Sequence, residues 1–217
     1  MKKVVFAITA LAFTTTLGPK VTHAAAGDSG KVVEVETRSD PNRVPWRGGL
    51  GDGIRFQCLW LQSAINYAGY VNMIEFYYYS GSFPASFNNC KILLCHSTKT
   101  VLEATFANNY TGNTPAEVFS GTQTLSGSGW IDTHIKPNVF NYNNRDNLLM
   151  EVVWNGDNGR DVFCYRASGA SRRCYSYTST ATRGIVYTME AQYIRLTLGT
   201  MPAVYVTSLG RVKTLLR

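Results

Sequence analysis

Side chains in several segments of this chain alternate in character with a period of two residues. The clearest examples are residues 54–61, 70–79 and 148–154, where large apolar side chains occupy every second position. Successive side chains of a strand point to opposite faces of a sheet, so each run predicts a β-strand. No amphipathic helix of useful length accompanies these runs. The sequence therefore predicts an all-β protein.

The spacing of these runs predicts a single antiparallel β-sandwich. About eight or nine strand-like runs follow one another at intervals typical of that architecture. Turns rich in Asn, Asp, Ser and Gly separate them. The last run, residues 184–198, reads as one long strand.

Residues 148–177 read as three consecutive strands joined by two tight turns. The second turn centres on Gly169, with Cys164 and Cys174 equally spaced to either side. A hairpin folded at this glycine sets the two cysteines opposite each other, at a Cα separation of about 4.5–5.5 Å that a disulfide accepts. The sequence therefore predicts a Cys164–Cys174 disulfide.

The five cysteines indicate an oxidising compartment, and their odd number leaves one thiol without a partner in the chain. Cys90 and Cys95 are separated by an odd number of residues, so they face opposite sides of a regular strand. Cys58 can pair with either of them. We expect a Cys58–Cys90 disulfide, with Cys95 unpaired.

The N-terminus has the pattern of an export signal. Lys2 and Lys3 precede an apolar run, and Ala24, Ala25 and Ala26 supply the small residues of a cleavage site. The apolar run is shorter than the roughly 20 residues that span a bilayer. We therefore expect cleavage, no transmembrane segment and a secreted protein, which is extracellular or attached to the cell surface. This divides the chain into a signal peptide (1–26), an N-terminal extension or edge strand (27–53), a β-sandwich domain (54–199) and a basic C-terminal tail (200–217).

The net charge limits the classes of partner. Cleavage removes three lysines and no acidic residue, so the net charge falls from +7 to +4. No dense run of Lys or Arg remains, and we expect no nucleic-acid partner. The remaining charge suits attraction to an acidic polysaccharide or membrane surface, or it simply keeps the domain away from zero charge.

A short alternating segment near the mature N-terminus is a candidate for assembly. Val33 and Val35 alternate with Glu34 and Glu36. The segment is either an edge strand of its own domain or a loose terminus, or it completes the sheet of a neighbouring subunit. Val33 and Val35 are therefore the candidate assembly residues.

Tyr77 and Tyr79 are the candidate ligand-binding residues. They share one face of the strand at residues 70–79 with Glu75, which marks that face as solvent-exposed. Tyrosines in this position can stack on sugar rings or pack against a partner subunit, and they also serve as ordinary cross-strand neighbours.

No pattern in the sequence points to catalysis. A nucleophile triad needs Ser or Cys beside His with an orienting carboxylate, whereas Cys95 and His96 are adjacent and face opposite ways on a strand. Asp132 and His134 share a strand face, but two ligands do not make a closed zinc site. We expect no enzyme activity, no metal and no cofactor.

Three segments, residues 55–61, 90–99 and 140–148, resemble β-sandwich modules of bacterial secreted and cell-surface proteins. In those modules a strand ending in a His-Thr-Thr-Lys-like turn precedes a Gly-Trp strand, as at Gly129 and Trp130, and then a Tyr-Asn-x-x-Asp-Asn-Leu segment. The resemblance covers about residues 53–198. It implies a jelly-roll-like sandwich of the kind that occurs beside adhesion, sorting and hydrolase domains. Residues 208–213 are similar to C-terminal tails of exported bacterial proteins, which implies a sorting or anchoring tag.

Together these features favour a non-catalytic, secreted or cell-surface protein with a structural or adhesive role. Its partners would be copies of itself or other cell-surface proteins, with edge-strand contacts building an extracellular filament. The alternative is a carbohydrate-binding module that holds a polysaccharide on exposed aromatic side chains.

Overall fold

The computed structural model describes residues 30–137, 139–168, 171–188 and 190–199. These residues form fourteen strands, one short α-helix and one 3-10 helix. In chain order the strands are β1 (Lys31–Val35), β2 (Arg38–Asn42), β3 (Ile54–Trp60), β4 (Gly69–Gly81), β5 (Ala85–Ser97), β6 (Ala116–Leu125), β7 (Gly129–Asp132), β8 (Asn141–Tyr142), β9 (Asn147–Trp154), β10 (Val162–Ser168), β11 (Arg173–Ser176), β12 (Ile185–Tyr187), β13 (Glu190–Gln192) and β14 (Ile194–Gly199). Helix α1 (Gln62–Ile65) follows β3, and the 3-10 helix (Phe106–Tyr110) follows β5.

Two antiparallel sheets pack against each other, as the sequence predicts. The larger sheet has eight strands in the order β1-β14-β4-β10-β13, with β2 beside β10 and with β7 and β8 beside β4. The smaller sheet has six strands in the order β12-β11-β3-β9-β5-β6. There are more strands than predicted, because short segments such as the polar β2 and the three-residue β13 pair without showing any alternation.

The core lies between the sheets and is rich in aromatic side chains. Trp46, Trp60 and Trp154 are fully buried. The indole N–H of Trp154 donates to the Pro45 carbonyl at 2.9 Å, and that of Trp60 donates to the Gln192 carbonyl at 2.8 Å. Large aromatic side chains contribute much of the buried apolar area of a core, and these two hydrogen bonds satisfy the indole N–H groups of Trp154 and Trp60.

The outer face of the smaller sheet is also covered. The 3-10 helix lays Phe106 over Leu59, Cys95 and Leu149 in a second apolar cluster. Beside that cluster the carboxylate of Glu151 accepts hydrogen bonds from the side chains of Gln57 and Tyr110, both at 2.6 Å. The alternation in β3 and β9 therefore separates two buried faces.

Residues 148–177 do not form the predicted three-stranded meander. Strands β9 and β11 belong to the smaller sheet, whereas β10 lies between them in sequence but belongs to the larger sheet. The loop after β9 spans the edge of the sandwich, where Asp157 accepts from the backbone N–H of Gly49 at 2.8 Å. The predicted long strand at residues 184–198 is likewise divided, with β12 in the smaller sheet and β13 and β14 in the larger one.

The described part of the N-terminal segment belongs to the sandwich rather than to an extension. Strand β1 pairs with β14, β2 pairs with β10, and Trp46 fills the core. The predicted signal peptide (1–26) and basic tail (200–217) lie outside the described residues. Among the described residues, the helices are too short and too polar to cross a membrane.

Candidate functional site: the outer aromatic cluster

The outer face of the larger sheet carries a group of aromatic side chains. In β4 the side chain of Tyr78 points into the core and is 2% exposed, which turns Tyr77 and Tyr79 outward together, as predicted. Strand β7 sets Trp130 directly opposite Tyr77. Two further tyrosines come from β10 and from the junction of β13 with β14. We call the following set the outer aromatic cluster: Tyr77, Tyr79, Trp130, Tyr165 and Tyr193.

Ring contacts join the cluster into a continuous layer. The ring of Tyr77 meets those of Trp130 and Tyr165 at centroid distances of 5.0 and 5.5 Å. Tyr79 meets Tyr165 edge-on at 5.6 Å, and Trp130 meets Tyr193 at 5.0 Å. Tilted and edge-to-face contacts at these distances are the favourable arrangements for aromatic pairs.

Two arginines lie over the rings. The Arg38 guanidinium is 4.8 Å from the Tyr165 centroid and 5.4 Å from that of Tyr77. The Arg195 guanidinium is 4.7 Å from the Trp130 centroid and donates two hydrogen bonds of 2.6 Å to the Glu75 carboxylate. This bidentate bond raises the pKa of Arg195 and fixes the guanidinium plane. Glu75 is therefore a buried partner, with 7% exposure, and not the exposed marker that the sequence suggests.

A carboxylate also orients the far end of the cluster. The Tyr193 hydroxyl donates to Glu34 at 2.6 Å. Burial of the ring, together with the bond to Glu34, raises the pKa of Tyr193 to about 12. The phenol therefore stays protonated and remains a donor at neutral pH.

The two predicted tyrosines have different parts in this arrangement. Tyr77 is partly buried among three rings and lies under Arg38, so it is the framework of the cluster. Tyr79 is 60% exposed, and its one ring contact among the described residues is with Tyr165. The available contact surface is therefore Tyr79 with the exposed edges of its neighbours. Trp130 and Tyr165 were missed because their approach to β4 depends on strand order, which alternation does not encode.

The cluster can stack and donate hydrogen bonds, and it contains no reactive nucleophile. Aromatic side chains with polar tips suit surfaces where one side of the contact is apolar and the other is wet. Within the described residues, no group of three or more His, Cys, Asp and Glu side chains is arranged to hold a metal ion.

The two histidines of interest have ordinary surroundings. The His96 ring packs on Phe140 at 4.7 Å and accepts a hydrogen bond from the Asn143 N–H at 3.2 Å. Burial lowers the pKa of His96. His134 lies in a turn where its Nδ1 is 3.1 Å from Asp132. Neither ring faces a cysteine or serine hydroxyl in these contacts.

Val33 and Val35 lie in β1, at one edge of the larger sheet. They pair with Leu196 and Ile194 of the same chain, and Val35 is fully buried in its own core. The structure therefore shows the in-domain edge strand. A role for these valines in assembly stays a prediction, and it would require β1 to leave this position.

The five cysteines are free thiols in the structure. Cys164 lies in β10 opposite Tyr78, whereas Cys174 lies in β11 opposite Gln57. Because β10 and β11 belong to different sheets, the hairpin that would set Cys164 against Cys174 does not exist. The structure therefore contradicts the predicted Cys164–Cys174 disulfide.

The predicted Cys58–Cys90 disulfide is contradicted for a related reason. Cys58 lies in β3 and Cys90 in β5, and β9 runs between them. Two strand spacings are about 9.5 Å, beyond the Cα separation that a disulfide allows. Cys95 is free, as expected, but it shares this state with the other four.

Burial makes these thiols weakly acidic. It raises the pKa of Cys58, Cys90 and Cys164 to about 12 and that of Cys95 and Cys174 to about 11. Since the thiolate is the reactive form, the cysteines act as small apolar core residues.

Comparison of the chain with protein-family models, with curated proteins and with solved structures finds no match. The resemblance to bacterial surface modules therefore stays a prediction.

Proposed function

We propose that this chain is a non-catalytic, exported adhesive protein that contacts a polysaccharide through the outer aromatic cluster. The observation that carries the proposal is the position of Tyr79, which is 60% exposed on a sheet face at the end of a layer of packed rings. This combines the structural and adhesive role with the carbohydrate-binding alternative inferred from the sequence.

The cluster suits a sugar chain because it is already organised before binding. Its neighbouring rings are 5.0–5.6 Å apart and held by mutual contacts, so little side-chain entropy remains to be lost on association. The apolar C–H face of a sugar ring can pack on Tyr79, while the guanidinium of Arg38 and the phenol groups can bond to sugar hydroxyls.

The proposal is tested by probing the mature protein on an array of neutral and acidic polysaccharides, with Tyr79→Ala as the variant. Tyr67→Ala is the matched control, because Tyr67 is also an exposed tyrosine and lies outside the cluster. We expect the wild type and Tyr67→Ala to bind the same polysaccharide and Tyr79→Ala to lose at least tenfold in affinity. Equal binding by all three proteins, or no binding by the wild type, would refute the proposal.

A second candidate function is assembly through the open edge of the smaller sheet. Strand β6 is ten residues long, and within the described part of the chain it pairs with β5 alone. It contains one charged residue, Glu117, and no proline or lysine to discourage pairing with another strand. The Lys136 N–H donates a hydrogen bond to the Val118 carbonyl at 2.7 Å. The rest of the β6 edge, residues 119–125, is therefore the part that a partner strand would pair with.

Light scattering and negative-stain electron microscopy test this second candidate. Thr122 and Thr124 are exposed on β6, so replacing both by lysine places charges on the edge without disturbing the core. Under this candidate the wild type forms oligomers or filaments and the double variant is monomeric. A wild type that stays monomeric as its concentration is raised would eliminate assembly through β6.

A further inference from the structure

A cavity of about 350 Å³ opens where the chain crosses between the two sheets. Its walls come from the segment after β2, from β10 and β11, and from β12 and β13. The volume lies at the lower end of the range of about 300–1,000 Å³ that is usual for ligand pockets. The cavity therefore suits one ring-sized group rather than the interior of a polymer.

The charged lining of the cavity is dominated by arginine. Arg43, Arg47, Arg166 and Arg173 line it, with Glu190 as the acidic residue among the lining side chains. Glu190 bonds to both Arg166 and Arg173. Arg43 pairs with Asp161 at 2.8 Å, and Asp40 is 3.6 Å from Arg166. Four arginines against these three carboxylates leave one positive charge.

We assign that positive charge to Arg47. Its guanidinium lies 4.7 Å from the Tyr177 ring centroid, and no carboxylate among the described residues forms an ion pair with it. Stacking on the ring holds the planar face of Arg47 and leaves its N–H groups at the edge for a ligand.

Arg173 shows that the cavity has a built polar floor. Its side chain is 1% exposed, and its Nε atom is buried without a hydrogen-bond partner in the described structure. A buried donor without a partner is costly. An acceptor in the cavity beside Arg173 would strengthen the negative environment that this side chain needs.

Tyrosines supply the remaining wall. Tyr175 and Tyr187 stack at 5.2 Å, and the Tyr175 hydroxyl donates to the Tyr187 oxygen at 2.9 Å. The Tyr187 hydroxyl keeps its own proton to donate. Tyr177 and Tyr187 are 38% and 37% exposed, so they lie at the mouth of the cavity. Aromatic walls with polar tips beside an arginine fit a sugar ring that carries an acidic group.

We propose that this cavity binds the carboxylate of an acidic sugar unit, with Arg47 as the main anion contact and the tyrosines against the sugar ring. This site is separate from the outer aromatic cluster, and it shares with the proposed function only the class of ligand. The two sites can therefore fail independently.

The test is a calorimetric titration of the mature protein with D-glucuronate, with D-glucose as the uncharged counterpart and inorganic phosphate as a second anion. We expect saturable binding of glucuronate that weakens as salt is raised, and no binding of glucose or phosphate at the same concentrations. Arg47→Gln should weaken glucuronate binding about tenfold to a hundredfold, because a charged hydrogen bond is removed. Arg47→Lys should recover part of it.

Arg145→Gln is the matched control, since it removes an exposed arginine just before the start of β9 that does not line the cavity. It should bind glucuronate like the wild type, and circular dichroism should show all variants folded. Equal binding by the wild type and Arg47→Gln would overturn the proposal. So would binding of glucose as tight as glucuronate, binding of phosphate without glucuronate, or no binding of any probe. Loss of polysaccharide binding in Tyr79→Ala with glucuronate binding intact would separate the two sites.

Discussion

Replacing Glu190 should show how much the ion pair with the buried Arg173 contributes to the stability of the fold. Glu190 forms ion pairs with both Arg166 and Arg173 at the junction of the two sheets. Arg173 is fully buried, and burial lowers its pKa, as expected for a cation with little solvent around it. Replacing Glu190 with glutamine keeps the shape and removes the negative charge. Among the described residues no other carboxylate forms an ion pair with Arg173, so Arg173 then remains as an unpaired buried cation.

The size of the effect follows from the exposure of the pair. Removing one partner of a buried ion pair costs about 3–5 kcal/mol. The Glu190 side chain is 14% exposed, so water at its edge should keep the loss near the lower limit. With a urea m-value of about 2 kcal/mol/M, a loss of about 3 kcal/mol lowers the unfolding midpoint by about 1.5 M. Arg166 adds little, because its side chain is 24% exposed and also bonds to the Asp40 carbonyl at 3.1 Å.

Urea unfolding followed by circular dichroism measures this loss. A double variant, Arg173→Met with Glu190→Met, removes both charges and keeps similar volume, and it should recover most of the lost stability. If the unfolding midpoint of Glu190→Gln lies within about 0.5 M urea of the wild type, or if the double variant is as unstable as the single one, the ion pair between Glu190 and Arg173 does not stabilise the fold as described.

Three further results are expected. Tyr77→Ala should lower the free energy of unfolding by about 2–4 kcal/mol, because the Tyr77 ring is packed among the other rings of the outer aromatic cluster, whereas Tyr79→Ala should lower it by less than about 1 kcal/mol. Similar losses for the two variants in urea unfolding would contradict the distinction between a packed Tyr77 and an exposed Tyr79. Unreduced, denatured protein should take up five iodoacetamide groups, as counted by mass spectrometry, because all five thiols are free; an uptake of three or one would show disulfides. Native protein at pH 8 should react slowly, since even the thiols with a pKa of about 11 are only about one part in a thousand thiolate. Burial lowers the pKa of folded His96, so the unfolded chain takes up the proton first, and the free energy of unfolding should fall as pH drops below about 6.5. His96→Phe should flatten that part of the plot of unfolding free energy against pH. An unchanged slope in the variant would show that His96 is not the cause.

Alternation was sufficient to predict the strands with two distinct faces. The runs that became β3, β4 and β9 are regular because each has one face in the core and the other in a defined environment. The alternation does not indicate which sheet a strand joins, since strands of both sheets place every second side chain in the same core. This is why Cys164 and Cys174 were expected to face each other although β10 and β11 lie in different sheets.

The candidate sites show the same boundary between what is local and what is not. Tyr77 and Tyr79 share a face within one strand, so their orientation could be predicted. The contact between Tyr77 and Trp130 depends on the pairing of β4 with β7. Around the cavity, Arg173, Tyr175 and Tyr177 recur with a period of two, which indicates an aromatic and cationic face. Glu190, the ion-pair partner of Arg173, lies in β13 of the other sheet, and no local sequence pattern indicates that the two strands meet.

Acrylamide quenching of tryptophan fluorescence tests whether the outer aromatic cluster is the binding surface. Trp46, Trp60 and Trp154 are fully buried, whereas Trp130 lies in the cluster and is partly exposed. The quenchable component should therefore come from Trp130 and disappear in Trp130→Phe. Addition of the polysaccharide selected on the array should lower the quenching slope of the wild type. A slope that stays unchanged while the polysaccharide is bound would place the binding surface elsewhere.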